Sequence, residues 1–320
     1  MKINPNTKWH QQTNVIHSGF SRSQNNETSE PIYLTSGYIY KTAEEAERRF
    51  LGESEGFIYS RYGNPTVNSF ETKLSKLEGC EKSIATSSGM SAVSSTLLSL
   101  LKSGDHIISS RALFGSCRYV IEDILPKFGI DVTFIDGIDL DQWESAMKPN
   151  TACGFLESPS NPMLEICDIS KISKILRSNK AKLIVDNAFS TSIIQKPIKL
   201  GADIVIYSAT KHIDGQGRCL GGAIMGDEEF IENTLRPFTR HTGPALSPFN
   251  AWVLNKGLET LEIRIERHCR NALEVARELS KNKKIKKIIF PGLPSHPQYD
   301  LIKKQMNNSG SIVTFQIDGG

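Results

Sequence analysis

Two residues in the sequence are suited to covalent and acid–base chemistry, a lysine and an aspartate that each follow an apolar run. Lys211 comes shortly after the run IVIY, and Asp186 ends the run KLIVD. A lysine amine can form a Schiff base with a carbonyl compound. A carboxylate at the end of a buried strand needs a cation nearby, because an unpaired buried charge is strongly destabilising.

The two residues together indicate a cofactor. Asp186 alone would favour an ion pair with an arginine or a lysine. Lys211 lies at the end of the next predicted strand, however, where it can reach the same ligand. A pyridinium nitrogen is a suitable cation for Asp186, and its pairing keeps the ring an effective electron sink. The sequence therefore predicts pyridoxal 5′-phosphate (PLP), bound as a Schiff base on Lys211.

A phosphate group has a candidate site at SSGM, residues 87–90, where a helix is predicted to begin. Helix N-terminal amides and the helix dipole attract anions, and Ser208 and Thr210 add hydroxyl donors near Lys211. A start with small residues is more often only a cap. The loop Gly215-Gln216-Gly217 lacks the spacing of nucleotide-binding motifs. The histidines and cysteines show no HExxH or CxxC pattern, so no metal site is expected.

The elements that must position these residues alternate along the chain. Strands are predicted at DHIISS, DVTFID, GFLES, KLIVDN, DIVIYS and GGAIMG. Helices are predicted from Asn64-Pro65 to Gly79, after SSGM, and over Tyr119–Phe128, Asp168–Arg177 and Ser192–Leu200. This alternation is typical of an α/β fold, with a mostly parallel sheet, helices on both faces and functional groups along one edge.

The sequence divides into three predicted regions. Residues 1–60 are irregular and polar, but the aromatic segment PIYLTSGYIY favours an arm that packs on a partner subunit over a disordered tail. Residues 61–245 form the large cofactor-binding domain. Residues 246–320 form a smaller α+β domain, with one or two helices over Trp252–Leu279 and a strand at SIVTFQID. Because the sequence stops directly after that strand, we expect this domain to be incomplete.

Composition excludes several classes of protein. The 320 residues are 38% hydrophobic and 23% charged, as in ordinary globular proteins. A net charge of +3 is too small to indicate binding to nucleic acid or to an anionic membrane. We predict the basic run Lys281–Lys287 to be a solvated helix end or loop rather than an anion site. No apolar run reaches membrane-spanning length and no signal core is present, so we expect a cytoplasmic protein with reduced cysteines.

Five motifs identify a family. They are YSRYGNPT (59–66), ATSSGM (85–90), ESPSNP (157–162), VDN (185–187) and SATKHIDG (208–215). In type, order and spacing they resemble the Cys/Met-metabolism family of PLP enzymes, the cystathionine γ-synthase-like group, and the resemblance covers essentially the whole chain. It implies the fold called PLP-dependent transferase fold type I.

The resemblance implies a role for each matched position. Lys211 would hold the cofactor and transfer protons, Asp186 would pair with the ring nitrogen, and Asn161 would donate to the phenolic oxygen. The implied phosphate ligands within the chain are Ser88, Gly89, Met90, Ser208 and Thr210.

Two further implications concern the ring and the neighbouring subunit. Phe114 occupies the ring-stacking position, which is commonly tyrosine in the family; it is the third expected catalytic residue, but it has no hydroxyl to relay protons. Tyr59 and Arg61 would reach the phosphate of a neighbouring subunit. The resemblance thus implies a homo-oligomer, with the dimer as the smallest catalytic unit and a tetramer as the expected assembly.

Within the family, three segments are similar to the O-succinylhomoserine sulfhydrylase branch: FGS (114–116), DGQGRCLGG (214–222) and TGPALSPFNAWVLNKGLETL (242–261). The resemblance implies a γ-replacement in methionine biosynthesis, in which O-succinylhomoserine and sulfide give homocysteine and succinate. Cystathionine γ-synthase and O-acetylhomoserine sulfhydrylase are the alternative activities.

Binding of the substrate's carboxyl groups is less well defined by the sequence. The arginine that binds the α-carboxylate in the family would lie beyond residue 320, so no residue is assigned that role, and a non-catalytic PLP-binding protein is a further alternative. Arg218 could meet the succinyl carboxylate, but a structural ion pair is the favoured interpretation.

Overall fold

Nine β-strands form two sheets in the computed structural model, which describes residues 9–20 and 22–319. Residues 1–8 and 21 of the predicted arm, and Gly320, lie outside the described residues. The strands are β1 Lys82–Thr86, β2 His106–Ser110, β3 Asp131–Ile135, β4 Thr151–Glu157, β5 Lys182–Asp186, β6 Ile204–Ser208, β7 Gly222–Gly226, β8 Ile285–Ile289 and β9 Thr314–Ile317.

Helices precede, separate and follow these strands. The α-helices are α1 Gln11–His17, α2 Ala43–Phe50, α3 Pro65–Glu78, α4 Gly89–Leu100, α5 Gly115–Tyr119, α6 Leu140–Ser145, α7 Ile169–Arg177, α8 Thr191–Ile194, α9 Pro197–Leu200, α10 Arg236–Thr242, α11 Pro248–Glu259, α12 Leu261–Leu279 and α13 Tyr299–Gln305. Two π-helical segments, Val120–Ile124 and Phe230–Leu235, and a 3-10 turn, Leu125–Phe128, complete the set.

The large sheet has the strand order β1-β7-β6-β5-β4-β2-β3. Strands β3, β2, β4, β5 and β6 are parallel to one another, and β7 runs antiparallel between β6 and β1. The carboxyl ends of β4, β5 and β6 therefore meet at one edge. This architecture confirms the predicted α/β fold class.

Alternation along the strands divides the core into two layers. Leu183 and Val185 pack with α3, α7 and α11–α12 on one face, whereas Ile184 packs with α4 on the other. In the same way Phe155 and Ile206 face the α4 side. Because side chains alternate with a period of two, the strand-end residues Glu157, Asp186 and Ser208 belong to the α4 face. The sheet thus brings three polar residues to one side of one edge.

Helix boundaries follow the capping chemistry of the sequence. The Asn64 side chain accepts from the amides of Thr66 and Val67 at the start of α3, and Pro65 occupies the first turn. Gly79 ends α3 in the left-handed region, with φ of +85°. The predicted bounds of this helix are confirmed.

Several predicted elements differ from the structure. Tyr119–Phe128 is not one α-helix, because its backbone forms π and 3-10 turns, the latter with Pro126 at its start. Ser192–Leu200 divides into α8 and α9, since Pro197 begins a new helix. Trp252–Leu279 divides into α11 and α12 at Thr260, as one of the two interpretations expected.

Other elements were not anticipated from the sequence. The predicted arm carries α1 and α2, and all side chains of α2 are at least partly exposed. Strand β1 and helix α13 were also missed. The second half of the basic run Lys281–Lys287 lies in β8 rather than in a helix end or loop, with Lys286 and Lys287 directed to solvent.

The core does not divide at the predicted boundary near residue 246. Leu254, Leu258 and Ile265 of α11–α12 share one buried cluster with Val185 and Val205 of the sheet. The three-region division remains a prediction. Among residues 9–20 and 22–319, the structure contains no helix long and apolar enough to cross a membrane.

Candidate active site

Lys211 lies in a tight turn at the carboxyl end of β6. Its amide donates to Ser208 O at 3.1 Å, and its carbonyl accepts from Gly215 N at 2.8 Å. The side chain is exposed and forms no ion pair with any residue that the structure describes. The turn therefore presents an uncommitted amine at the edge where β4, β5 and β6 end.

Asp186 ends β5 next to Glu157, the last residue of β4, and the two residues are register partners. Both are buried, with 9% and 3% of their surface exposed. Asp186 Oδ1 accepts from Ala188 N at 3.0 Å, and Glu157 Oε2 accepts from Phe114 N at 2.7 Å. Burial raises the pKa of both carboxyls, and the charge of Asp186 raises that of Glu157 further.

The residue after Asp186 is held by a buried hydrogen-bond network. Asn187 Nδ2 donates to Tyr207 OH at 2.6 Å and to Gln195 O at 3.0 Å. Tyr207 in turn donates to Glu78 at 2.7 Å, and burial raises the pKa of Glu78 to about 7. These bonds fix the chain immediately beyond β5 and so restrict where the Asp186 carboxyl can point.

The amino terminus of α4 lies against the end of β6. Ser88 is the N-cap residue and accepts from Ser91 N at 3.1 Å. A Cβ atom added to Gly89 would lie 2.7 Å from Ser208 Cβ and 2.9 Å from Ser208 Oγ. Only glycine permits this approach, which leaves a cradle formed by the first α4 amides and the Ser208 hydroxyl. The amides of Gly89 and Met90 donate no bond within the helix and are free to bind an anion.

Thr210 has a different environment from the one its expected role requires. Its hydroxyl donates to Gly221 O at 3.2 Å and accepts from Gly221 N at 3.0 Å. Its only proton is therefore committed to the main chain. Thr210 ties the Lys211 turn to the segment before β7, and its role as a phosphate donor remains a prediction.

Phe114 and Asn161 follow β2 and β4 at the same edge of the sheet. Phe114 begins α5, its ring is 43% exposed, and its amide is fixed by Glu157. Asn161 is half-buried in the turn after β4. Both residues thus lie at the edge of the sheet where Glu157 and Asp186 end their strands, and both side chains are at least partly exposed.

Tyr59 and Arg61 are not brought into this cluster. Both are exposed, and the Arg61 guanidinium lies 5.3 Å from the Tyr59 ring centroid and 5.0 Å from that of Tyr62. Arg61 also donates to Arg240 O. Within the described part of the chain, no hydrogen bond joins Tyr59 or Arg61 to Lys211 or to the α4 cradle. Their expected contact with a neighbouring subunit remains a prediction.

Arg218 forms the ion pair that the sequence favoured. Its Nε atom lies 2.9 Å from Asp214 Oδ1, and its Nη2 and main-chain amide also donate to Asp214. Asp214 is fully buried, so Arg218 neutralises it within the loop that follows Lys211. This arrangement assigns Arg218 a structural contact.

Glu157 is the residue of this site that the sequence analysis missed. The signal was present, because Glu157 ends an apolar run in the same way that Asp186 does. Its importance depends on the β4–β5 register and on the contact with Phe114, neither of which is visible in the sequence. The rule applied to Asp186 would have found it.

The site fits the ring and the phosphate of PLP. Among residues 9–20 and 22–319, no lysine, arginine or histidine lies within ion-pair distance of Asp186 or Glu157, so two buried acids lack a protein cation. A protonated ring nitrogen would supply one. The α4 cradle suits a phosphate, and the exposed Phe114 ring suits a planar ligand. The same residues contain no cluster of His, Cys, Asp and Glu able to hold a metal ion.

Comparisons with known proteins agree with this chemistry. Residues 12–320 match the family model for Cys/Met metabolism PLP-dependent enzymes. The chain is 49% identical over 308 residues to an O-succinylhomoserine sulfhydrylase of Mycobacterium tuberculosis, covering 96% of this chain and 76% of that protein. It is 43% identical over 310 residues to an L-methionine gamma-lyase of Fusobacterium nucleatum, covering 96% of this chain and 78% of that one.

A solved structure from Campylobacter jejuni that contains N′-pyridoxyl-lysine-5′-monophosphate superposes with a TM-score of 0.91 at 32% identity, covering 97% of this chain and 86% of that one. The structural likeness and the matched family agree on the cofactor. The chain belongs to the Cys/Met metabolism family of PLP-dependent enzymes.

Proposed function

We propose that this enzyme is an O-succinylhomoserine sulfhydrylase, which converts O-succinyl-L-homoserine and sulfide to L-homocysteine and succinate. The observation that carries this choice is the 49% identity to sulfhydrylases of that name, against 43% to methionine γ-lyases. The reaction breaks the bond between Cγ and the ester oxygen of the substrate and forms a bond between Cγ and sulfur. Succinate carries away the electron pair of the broken bond.

The residues of the site divide the work of this reaction. Bound PLP supplies an electron sink for a carbanion at the substrate Cα. Lys211 anchors the cofactor and then moves a proton at Cα, because its amine lies free at the end of β6. Asp186 holds the proton on the ring nitrogen, and its burial strengthens that pairing.

Other residues orient the cofactor. The amides of Gly89 and Met90, with Ser88 and Ser208, bind the phosphate at the α4 terminus. Phe114 stacks on the ring, and Asn161 donates to the phenolic oxygen. Tyr59 and Arg61 come from a neighbouring subunit, so that a dimer is the smallest active unit and a tetramer the expected assembly.

Elimination is the second candidate function, favoured by the likeness to L-methionine gamma-lyase. In that case the group on Cγ leaves as a thiol or a carboxylate without replacement by sulfide, and water hydrolyses the remaining unsaturated amino acid to an oxo acid and ammonia. Cystathionine γ-synthase and O-acetylhomoserine sulfhydrylase activities differ from the proposal in the nucleophile and in the leaving group.

The site assignment is tested by reducing the purified protein with borohydride and mapping the pyridoxyl label. Label on Lys211, abolished in Lys211→Ala but not in Lys281→Ala, is the expected result; Lys281 is an exposed lysine that pairs with Glu278. Label on another lysine would contradict the assignment.

The reaction is tested by product analysis. The protein is given the succinyl or acetyl ester of homoserine with sulfide or cysteine, and separately methionine alone. We expect homocysteine from the succinyl ester and sulfide as the dominant product. Faster formation of an oxo acid from methionine would favour elimination. Faster turnover of the acetyl ester than of the succinyl ester would favour O-acetylhomoserine sulfhydrylase activity.

A further inference from the structure

Arg264 on α12 is a half-buried arginine whose charge meets no carboxylate in the described part of the chain. It donates instead to main-chain carbonyls: Nη1 to His212 O at 2.8 Å, and Nη2 to Ile213 O at 3.2 Å and to Gly257 O at 2.7 Å. Its Nε donates to Thr260 Oγ1 at 3.2 Å. The planar guanidinium therefore directs most of its N–H donors to main-chain carbonyls and to one hydroxyl.

Two of these acceptors directly follow Lys211 in the chain. His212 and Ile213 form the far side of the turn whose near side is fixed by the bond from Lys211 N to Ser208 O. The third acceptor, Gly257, lies on α11. Arg264 therefore connects the turn that presents the cofactor lysine to the junction of α11 and α12.

Two glycines show how closely this contact is packed. A Cβ atom at Gly257 would lie 2.2 Å from Ile213 O, so α11 presses directly on the turn. A Cβ atom at Gly215 would lie 1.9 Å from Arg264 Nη1, and Gly215 has a φ of +68°. The guanidinium fills the space inside the turn, so a methyl group added at position 215 would have to displace it.

The neighbouring charges do not provide an alternative partner for Arg264. Asp214 is bound by Arg218, which lies in the same loop. Burial and the charge of Arg218 lower the pKa of Arg264, and the charge of Asp214 offsets only part of this effect. The three carbonyls, rather than an acid, hold the group where it is.

We propose that Arg264 is a positioning residue that fixes the main chain on the carboxyl side of Lys211 and thereby aims the lysine amine at the cofactor. This inference rests on the proposed attachment of PLP to Lys211. It makes the geometry of the fork the essential property of Arg264, since a lysine at this position would keep the charge but could not bridge three carbonyls.

The test uses the full chain loaded with PLP and compares Arg264→Lys and Arg264→Gln with Arg267→Lys and Arg267→Gln. Arg267 is an exposed arginine on the same helix. The readouts are the absorbance and circular dichroism of the cofactor band across pH, the rate of PLP release, and the melting temperature of the apo form. Both Arg264 variants are expected to change the band and to release PLP about ten- to a hundredfold faster, as the loss of hydrogen bonds from a charged donor implies.

A glycine pair tests the same contact without changing any charge. Gly215→Ala and Gly217→Ala both place an alanine at a φ of +68°, but nothing lies within 4 Å of the added Cβ at Gly217. Equal backbone strain is therefore expected in both. Only Gly215→Ala displaces Arg264, so only that variant should reproduce the spectral change and the faster PLP release.

Three results would overturn the inference. Lower melting temperatures with unchanged spectra and release rates would reduce Arg264 to a stabilising residue. If Arg264→Lys had the spectrum and PLP release rate of the wild type and Arg264→Gln did not, the charge of Arg264 would matter and the forked shape of its guanidinium would not. If borohydride reduction of the wild-type protein labels a lysine other than Lys211, the proposed attachment of PLP to Lys211 is wrong. This measurement comes before any variant is compared, so it separates failure of the proposed function from failure of this inference.

Discussion

Replacement of Glu157 tests whether the two buried acids that end β4 and β5 share one proton. Glu157 and Asp186 are register partners on β4 and β5, and burial raises the pKa of each. Two adjacent buried carboxyls do not both ionise readily, so the pair retains a proton near neutral pH. Since Asp186 must be ionised to pair with a ring cation, we expect Glu157 to carry that proton.

The structure gives the size of the effect. In Glu157→Gln an amide oxygen can still accept from Phe114 N, as Oε2 does at 2.7 Å, and the group stays neutral. In Glu157→Ala that acceptor is lost, at a cost of about 1–3 kcal/mol for the unpaired amide. If the loss falls on the cofactor site, PLP binds about 5- to 150-fold more weakly in the alanine variant. The glutamine variant should bind PLP within about threefold of the wild type, a difference below 1 kcal/mol.

The assay is equilibrium dialysis of the apo proteins against PLP at neutral pH, with the free energy of unfolding measured in parallel. Burial raises the pKa of Glu157 in the folded protein from its ordinary value of 4.5 to about 8. Between pH 4.5 and about 8 the folded apo protein therefore binds more protons than the unfolded chain. Stability should therefore fall as pH rises through that window, and less so in Glu157→Gln. If Glu157→Gln lost as much PLP affinity as Glu157→Ala, the ionised charge of Glu157 would be essential and the shared-proton argument would be wrong.

Two further predictions concern the phosphate cradle and the arm. Gly89→Ala should weaken PLP binding at least about tenfold, because the new Cβ would lie 2.7 Å from Ser208 Cβ. The control Gly115→Ala should bind PLP normally, because nothing lies within 4 Å of its new Cβ. Equal PLP affinities of the two variants in dialysis would contradict the role of the cradle. Glu30→Gln should lower the free energy of unfolding by about 2 kcal/mol at pH 7, because buried Lys73 loses the carboxylate at 3.0 Å and keeps Glu259 at 3.9 Å. The pKa of Glu30 is lowered to about 2, so this stabilisation is present above about 4.5 and is lost as pH falls towards 2; urea titrations at pH 7 and pH 3 should show the difference shrink.

Local signals in the sequence were sufficient for the strand ends and for some helix limits. Asp186 and Lys211 follow buried β-branched runs, and the structure places both at the carboxyl edge of the sheet. Asn64 and Gly79 bound α3 as their capping chemistry predicts. Helix α2 shows the limit of such signals, because its apolar residues Ala43, Ala46 and Phe50 have helical spacing but lie among charged residues, and none of them is buried. A short, mostly charged segment of this kind is difficult to distinguish from irregular structure by sequence alone.

The residues that orient the site could not be found in the same way, because their significance arises only from contacts between distant segments. Arg264 is one of several arginines in α12, a helix rich in Arg and Glu, and nothing in its local sequence separates it from the exposed Arg267. It becomes distinct only when the fold brings His212 and Ile213 within hydrogen-bond distance of its guanidinium. The reactive amine thus has a local signature, whereas the group that aims it is defined by tertiary structure. Variants that keep the local pattern and remove the long-range contact, such as Gly215→Ala, are therefore the ones that separate positioning from chemistry.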